Sequence, residues 1–263
     1  MEGQVALNAD RKTKITLYWL EQSRSQRILW LLELLNVEYE LKAYERLNMR
    51  APNEFKDVHP LGKAPILTVE AEGMPKPLVL AESGLIVEYL VDHFGRDLVP
   101  RRYPEGQEGQ IGRETEEWLR NRYYMHYSEG TIMVYILVTV LVENIKSNAP
   151  FFIKPISNAI TGKIESLYLA PNFKETFVFL ESQVSSSPNG GEYLCGTKLT
   201  GADIMMSFPL IAIRGRFGFT EENYPKLWSY VARLEDDPAN KKGIQKIIDL
   251  KGSYSPAVFP KGS

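Results

Sequence analysis

Over residues 14–96 the spacing of apolar positions changes several times. Ile15-Thr16-Leu17-Tyr18-Trp19-Leu20 is a short β-branched and aromatic run and predicts a buried strand. Ile28, Leu29, Leu31, Leu32 and Leu35 then recur at helical spacing. Tyr39, Leu41 and Ala43 alternate with polar residues, as a strand does. Strand–helix–strand implies parallel pairing through a right-handed crossover. A polar stretch from Asn48 to Val58 follows. Ile66-Leu67-Thr68-Val69 and Leu78-Val79-Leu80 predict two more strands, with Gly73, Pro75 and Pro77 in a hairpin-type connection. Leu85, Ile86, Tyr89, Leu90 and His93 close this half as a helix.

Residues 100–109 are rich in Pro, Gly and charge and read as a linker. Beyond them the pattern is helical. Residues 114–145 form one long candidate, 173–184 a second, and 228–234 a third that ends near Pro238. Thr200-Gly201-Ala202-Asp203 precedes an apolar run and has the form of a capping box in its Asp variant, with Leu199 and Ile204 placed as a hydrophobic staple. Asp203 is therefore read as structural. The tail after Ser253, with Pro256 and Pro260, is read as irregular. The expected organisation is a first domain over residues 13–97, a linker over 98–109 and an all-helical domain over 110–255.

Composition narrows the class. The chain has 263 residues, 44% hydrophobic and 24% charged, enough for two ordinary packed domains. Thirty-one basic and 33 acidic residues leave a net charge of −2, which gives no overall footprint for nucleic acid or an anionic membrane. The single cysteine, Cys195, cannot form an internal disulfide. The N-terminus lacks the apolar core of a signal peptide. The longest apolar stretch, residues 132–142, is short of the ~20 residues that span a bilayer. It is read as a buried core helix, with peripheral membrane contact as the alternative. The cytoplasm is the expected location, and no metal site is expected.

The order β-α-β-(α)-β-β-α is that of an α/β thioredoxin-like domain, here followed by an all-α helical domain. Such folds place ligands where the first strand meets the first helix. That turn reads Glu21-Gln22-Ser23-Arg24-Ser25-Gln26-Arg27, with no Cys-x-x-Cys, so dithiol chemistry is excluded there and a hydroxyl is the only candidate partner for a thiol. Either serine could equally be a plain helix cap. His59-Pro60-Leu61-Gly62-Lys63-Ala64-Pro65 runs into a strand. Pro65 is allowed at its start, and a cis bond there would turn the backbone of Ala64 outward to pair with an extended peptide. At Leu80-Ala81-Glu82-Ser83-Gly84 a strand turns into a helix with Ser83 as the expected N-cap. Its free N–H groups suit a carboxylate, and Glu82 beside it suits an ammonium group. Together they suit an α-amino acid end.

These segments, S-R-S-Q-R-I-L-W-L-L-E-L-L, H-P-L-G-K-A-P-I-L, L-A-E-S-G-L-I-V-E-Y-L, L-T-G-A-D-I and Y-P-K-L-W-S-Y-V, stand in an order and at distances that resemble the glutathione transferase superfamily over about residues 14–250. The first three, with the tyrosine-rich run from Tyr123 to Gly130, look like fungal members and their bacterial relatives. The resemblance implies that Ser23, four residues before Arg27, holds the glutathione sulfur, with Ser25 as runner-up. It implies that Ala64 pairs with the cysteinyl backbone while Pro65 holds the turn, and that Glu82 and Ser83 grip the γ-glutamyl end. Lys63 and, less directly, Arg50 would meet the glycine carboxylate. The helix carrying Tyr123, Tyr124 and Tyr127 would wall an electrophile pocket between the domains, although aromatic residues at three- and four-residue spacing are more often core than pocket. The implied activity is conjugation of the glutathione thiolate to small hydrophobic electrophiles, with peroxidase activity on organic hydroperoxides as an extension, in a homodimer. The absence of cysteine at the turn argues against reduction of mixed disulfides as the main activity. The alternative is a non-catalytic glutathione-binding or assembly protein of the same fold.

Overall fold

The computed structural model describes residues 13–47 and 50–256. The polar N-terminus up to Lys12, Asn48 and Pro260 of the tail lie outside the described residues. The chain forms two compact units. Among the described residues, the first takes in those from 13 to 97 together with Pro238–Ser255, and the second spans Leu98–Asp237.

Four strands form the sheet of the first unit: β1 (Lys14–Leu20), β2 (Glu40–Tyr44), β3 (Ile66–Glu70) and β4 (Leu78–Ala81), in spatial order β2-β1-β3-β4. β1 pairs parallel with β2, Thr16 opposite Glu40, and antiparallel with β3, Tyr18 opposite Ile66. β3 and β4 run antiparallel with Leu67 opposite Leu80. Ile15, Leu17, Trp19 and Leu20 are all buried, which is why β1 shows a near-continuous apolar run instead of strict alternation. The helices of the unit are α1 (Ser25–Leu34), α2 (Glu54–Val58) and α3 (Ser83–Phe94). α1 buries Ile28, Leu29, Trp30, Leu31 and Leu32 completely or nearly so. That burial fixes the angle at which its N-terminal turn leaves the sheet.

A helix absent from the sequence expectation completes this unit. α10, defined as the helix Pro238–Lys251, packs against α1, whereas the sequence pattern places its residues in the helical half. Two features draw it there. Gly243 lies against Leu29, and a Cβ at Gly243 would stand 3.2 Å from Leu29 Cγ, so the absence of a side chain there favours the close approach. Glu33, at the end of α1, pairs with Lys242 Nζ at 2.8 Å and also with Lys246, and accepts from the Tyr39 hydroxyl. Burial opposes ionisation of Glu33, yet these hydrogen bonds outweigh it and hold the carboxyl below the usual range. α10 therefore clamps the C-terminal end of the helix that follows the turn carrying Ser23.

The second unit contains α4 (Glu116–Tyr127), α5 (Met133–Asn148), α6 (Lys154–Ile164), α7 (Ala170–Ser185), α8 (Gly201–Ile213) and α9 (Pro225–Asp236). α4 and α5 are one continuous helix interrupted by a π-turn over Ser128–Ile132, and a second π-turn over Glu165–Leu169 joins α6 to α7. Ser128 Oγ donates to Met205 O of α8 at 2.8 Å within the first π-turn. The core is aromatic: Phe173, Phe177 and Phe219 stack in sequence, with centroid separations of 5.6 Å and 4.8 Å. The capping box predicted at Thr200 is present, and Asp203 is fully buried in it. α6 had no sequence assignment. The run over residues 132–142 buries only one side of α5, namely Met133, Ile136, Thr139 and Val142, and exposes Val134, Leu137 and Leu141 on the other.

Candidate functional site

The turn between β1 and α1 is held from several sides. Gln22 adopts a left-handed backbone conformation with φ 48°. Arg46, on the segment after β2, donates from Nε to Glu21 O (3.2 Å) and from a terminal nitrogen to Gln22 O (3.1 Å). Its own N–H donates to Glu21 Oε1 at 2.7 Å. Burial lowers the Arg46 pKa, with the Glu21 carboxylate pulling the other way, and a guanidinium stays charged regardless. Sequence reasoning missed Arg46. Its contacts span 24 and 25 positions, beyond the reach of a local pattern.

Ser23 sits in this turn and is 8% exposed, whereas Ser25 is fully buried. Ser23 Oγ accepts from Ser25 N–H at 3.1 Å and lies 2.8 Å from both Leu20 O and Ser25 Oγ. Its single proton serves one of those acceptors at a time. Ser25 Oγ is committed to Leu20 N–H at 3.2 Å. Of the two hydroxyls, Ser23 is the one nearer the surface, and Ser25 is a structural bolt between β1 and α1.

A groove on the same unit is lined by Arg24, His59, Leu61, Lys63, Ala64, Pro65, Ala81, Glu82 and Ser83. Three sequence segments meet there: the β1–α1 turn, the residues leading into β3 and the β4–α3 junction. Lys63, Ala64, Pro65, Glu82 and Ser83 are thus brought together. Ser23 is the neighbour of lining residue Arg24 and is not itself part of the lining. Arg50 is exposed, stands in an isolated bridge with Leu47 and lies outside the groove. Arg24 and His59 line the groove without having been singled out in sequence. Arg24 was legible only as the residue between two serines. The Ala64–Pro65 peptide is cis.

The β4–α3 junction differs in one detail from expectation. Glu82, not Ser83, occupies the N-cap position of α3, and Ser83 is the first helical residue, 2% exposed. Glu82 O accepts the first helical bond, from Ile86 N–H at 3.0 Å. Glu82 reaches this position with φ 70°, a conformation an L residue seldom adopts. Such backbone outliers concentrate at ligand sites. The first N–H groups of α3 have no intrahelical acceptor and, with the helix dipole, favour an anion. The groove therefore combines an exposed carboxylate at Glu82, an anion-favouring helix terminus and two cations, Arg24 and Lys63.

In the second unit Tyr123, Tyr124 and Tyr127 form a ring cluster with Phe179. Tyr123 and Tyr127 stack at 5.4 Å, and each stands edge-on or tilted to Phe179. Tyr124 is 1% exposed and belongs to the core, whereas Tyr123 is 49% exposed. Burial raises the Tyr124 and Tyr127 pKa values, so both phenols stay protonated across the physiological range. Cys195 is buried and its thiol is pushed far up by burial and by Asp203, which leaves it inert as a nucleophile.

Residues 13–92 match the family model described as "Glutathione S-transferase, N-terminal domain", and residues 152–245 match "Glutathione S-transferase, C-terminal domain". The chain is 36% identical to Glutathione S-transferase 1 of Saccharomyces cerevisiae over 243 residues, covering 91% of this chain and 98% of that protein. It is 30% identical to Glutathione S-transferase 3 of Schizosaccharomyces pombe over 235 residues, covering 89% and 88%. Among solved structures, a glutathione S-transferase from Actinobacillus pleuropneumoniae superposes with TM-score 0.58 at 31% identity, over 88% of this chain and 92% of that one. A glutathione transferase homologue from Lodderomyces elongisporus, solved with two glutathione molecules per subunit, superposes with TM-score 0.65 over 89% and 98%, and at 21% identity supports the fold alone. Two domain models and near full-length identity to two curated transferases leave one conclusion: this chain belongs to the glutathione S-transferase family.

Proposed function

We propose that the enzyme is a serine-type transferase that binds glutathione in the groove of its first unit and conjugates the thiolate to small hydrophobic electrophiles. The observation that carries this reading is the convergence of Arg24, Lys63, Ala64, Glu82 and Ser83 on one groove beside the turn that holds Ser23. Glu82 takes the ammonium of the γ-glutamyl end, and the backbone N–H and hydroxyl of Ser83 at the N-terminus of α3 take its carboxylate. Ala64 pairs with the cysteinyl backbone, with Pro65 fixing the turn. Lys63 is the groove's cation for the glycine carboxylate, since Arg50 lies outside the groove. Ser23 turns its hydroxyl proton from Leu20 O to the sulfur. The hydroxyl is far too weak a base to remove the thiol proton. It stabilises the thiolate once the proton has left to solvent, and Arg24 adds positive charge nearby. The thiolate then attacks the electrophile, forming the C–S bond as the leaving group departs. An organic hydroperoxide would be reduced by the same thiolate. The active form is a homodimer, and sedimentation at the mass of a single chain would contradict that.

Glu82→Ala and Ser83→Ala are expected to raise KM for glutathione with little change in kcat. Both groups touch the part of glutathione that does not react, so their contacts are similar in ground and transition states. Loss of one charged hydrogen bond, about 1.5–3 kcal/mol, corresponds to roughly a 10- to 100-fold rise. Steady-state kinetics with varied glutathione and a reactive aryl halide separates the two constants. A fall in kcat at unchanged KM would refute the assignment of these residues to substrate binding.

A further inference from the structure

The turn that carries Ser23 does not follow the course its own residues favour. Gln22 stands at φ 48°, in the left-handed region that a side chain of its kind seldom occupies. Such a conformation persists only where the surrounding structure holds it. Ser23 does not supply that hold. Its Oγ finds its partners within residues 20–25, in Leu20 O, Ser25 Oγ and Ser25 N–H. These bonds fix the hydroxyl relative to the turn and leave the course of the turn to other groups.

Arg46, just beyond β2, provides the hold. Its guanidinium forks across two successive carbonyls, from Nε to Glu21 O at 3.2 Å and from a terminal nitrogen to Gln22 O at 3.1 Å. Its backbone N–H donates to Glu21 Oε1 at 2.7 Å, and Glu21 N–H donates to Tyr44 O, at the end of β2, at 3.0 Å. Four bonds thus tie Glu21 and Gln22 to residues 44–46. The bond to Gln22 O matters most for Ser23. A peptide unit is planar, so fixing that oxygen fixes the plane whose nitrogen belongs to Ser23. A planar guanidinium can hold two carbonyls in one geometry, whereas a lysine ammonium on its flexible stem cannot. Arg46 is half-buried and does not line the groove, so its side chain acts on the turn and not on the peptide of glutathione.

We infer that Arg46 is a positioning residue for thiol activation: it sets the peptide plane that leads into Ser23, and with it the distance from the Ser23 hydroxyl to the sulfur. This role rests on the assignment of Ser23 to the sulfur proposed above. A hydroxyl displaced by a fraction of an ångström loses much of a hydrogen bond to the thiolate, while glutathione stays held by the other segments of the groove.

The test is a double-mutant cycle with Ser23→Ala, read by kcat and KM with a reactive aryl halide and by the thiolate titration of the glutathione complex. Arg46→Gln should lower kcat by about 10- to 100-fold, less than loss of the hydroxyl itself, with KM for glutathione within a few-fold. The titration midpoint should rise by about one pH unit, the equivalent of a tenfold loss of thiolate stabilisation. Arg46→Lys keeps the cation and loses the fork. It should follow Arg46→Gln in kcat and midpoint, and it carries the test if Arg46→Gln fails to fold. In the Ser23→Ala background either Arg46 substitution should cost less than about threefold, because the group it positions is gone. Urea midpoints and calorimetric glutathione binding establish that each variant is folded. Wild-type kcat and midpoint in Arg46→Lys would overturn the positioning role, and so would an equal loss whether or not Ser23 is present. Unchanged turnover in Ser23→Ala alone is a separate failure: it would refute the assignment of Ser23, and the role of Arg46 with it.

Discussion

Ser23→Ala is expected to lower kcat for conjugation by about 10²–10³ while leaving glutathione affinity within a few-fold. The hydroxyl would touch only the sulfur, whereas the peptide would be held by groups at Lys63, Ala64, Glu82 and Ser83, which line the groove on other segments. Removing one preorganised donor to a standing or developing anion costs about 2.7–4 kcal/mol. The fold should survive. Ser23 Oγ accepts from Ser25 N–H at the first residue of α1, and loss of one such side-chain-to-backbone bond costs about 1 kcal/mol. Ser25→Ala makes the informative control. Its Oγ is fully buried and bonded to Leu20 N–H, so its loss should appear mainly in stability. Steady-state kinetics and denaturant midpoints on both variants decide the matter. If Ser25→Ala were the crippling change in turnover, the assignment of the turn would be wrong.

Asp203→Ala is expected to destabilise the fold more than any substitution in the glutathione groove, by about 3–5 kcal/mol. The carboxylate accepts from Thr200 N–H at 2.8 Å, Thr200 Oγ1 at 2.8 Å, Leu194 N–H at 3.2 Å and the Tyr230 hydroxyl at 2.7 Å. It thereby ties the N-terminus of α8 to the loop before it and to α9. Burial pushes the Asp203 pKa up even against these donors, and drives the Tyr230 phenol well above its ordinary range, so the phenol remains a donor. Truncation leaves four buried donors without their acceptor. Equilibrium unfolding in urea should show a lower midpoint at similar slope. A loss under about 1 kcal/mol would mean that the network contributes far less than its geometry implies.

The legible parts of the sequence were those whose signal is local. β1 and β3 announced themselves by apolar runs, α3 by its spacing, and the start of α8 by Thr200 and Asp203. The hidden parts depend on partners far along the chain. α10 gives a weak apolar pattern because it is fixed by Gly243 against Leu29 and by Lys242 and Lys246 against Glu33, at the opposite end of the sequence. α6 gives a misleading one, because its isoleucines face outward. In the site, segments read as turns and caps did converge on one groove. The departures were geometric: the N-cap of α3 moved one residue to Glu82 through its positive φ, and Arg24 joined the lining. Neither is visible without the path of the backbone.

The central claim is that this enzyme works by holding glutathione as a thiolate through Ser23. The ultraviolet absorbance of the thiolate, titrated against pH with glutathione bound at saturation, reads that state directly. Free thiols of this kind ionise near pH ~8.5. A hydrogen-bond donor, a helix N-terminus and a nearby guanidinium all favour the charged form, and a depression of about two units asks for about 3 kcal/mol of differential stabilisation. The wild-type complex should therefore titrate at about pH 6–7, and Ser23→Ala should move the midpoint back toward the free value of about 8.5. A wild-type complex with glutathione demonstrably bound and an unshifted titration would contradict the account, and would make the chain a glutathione-binding protein that does not activate the thiol.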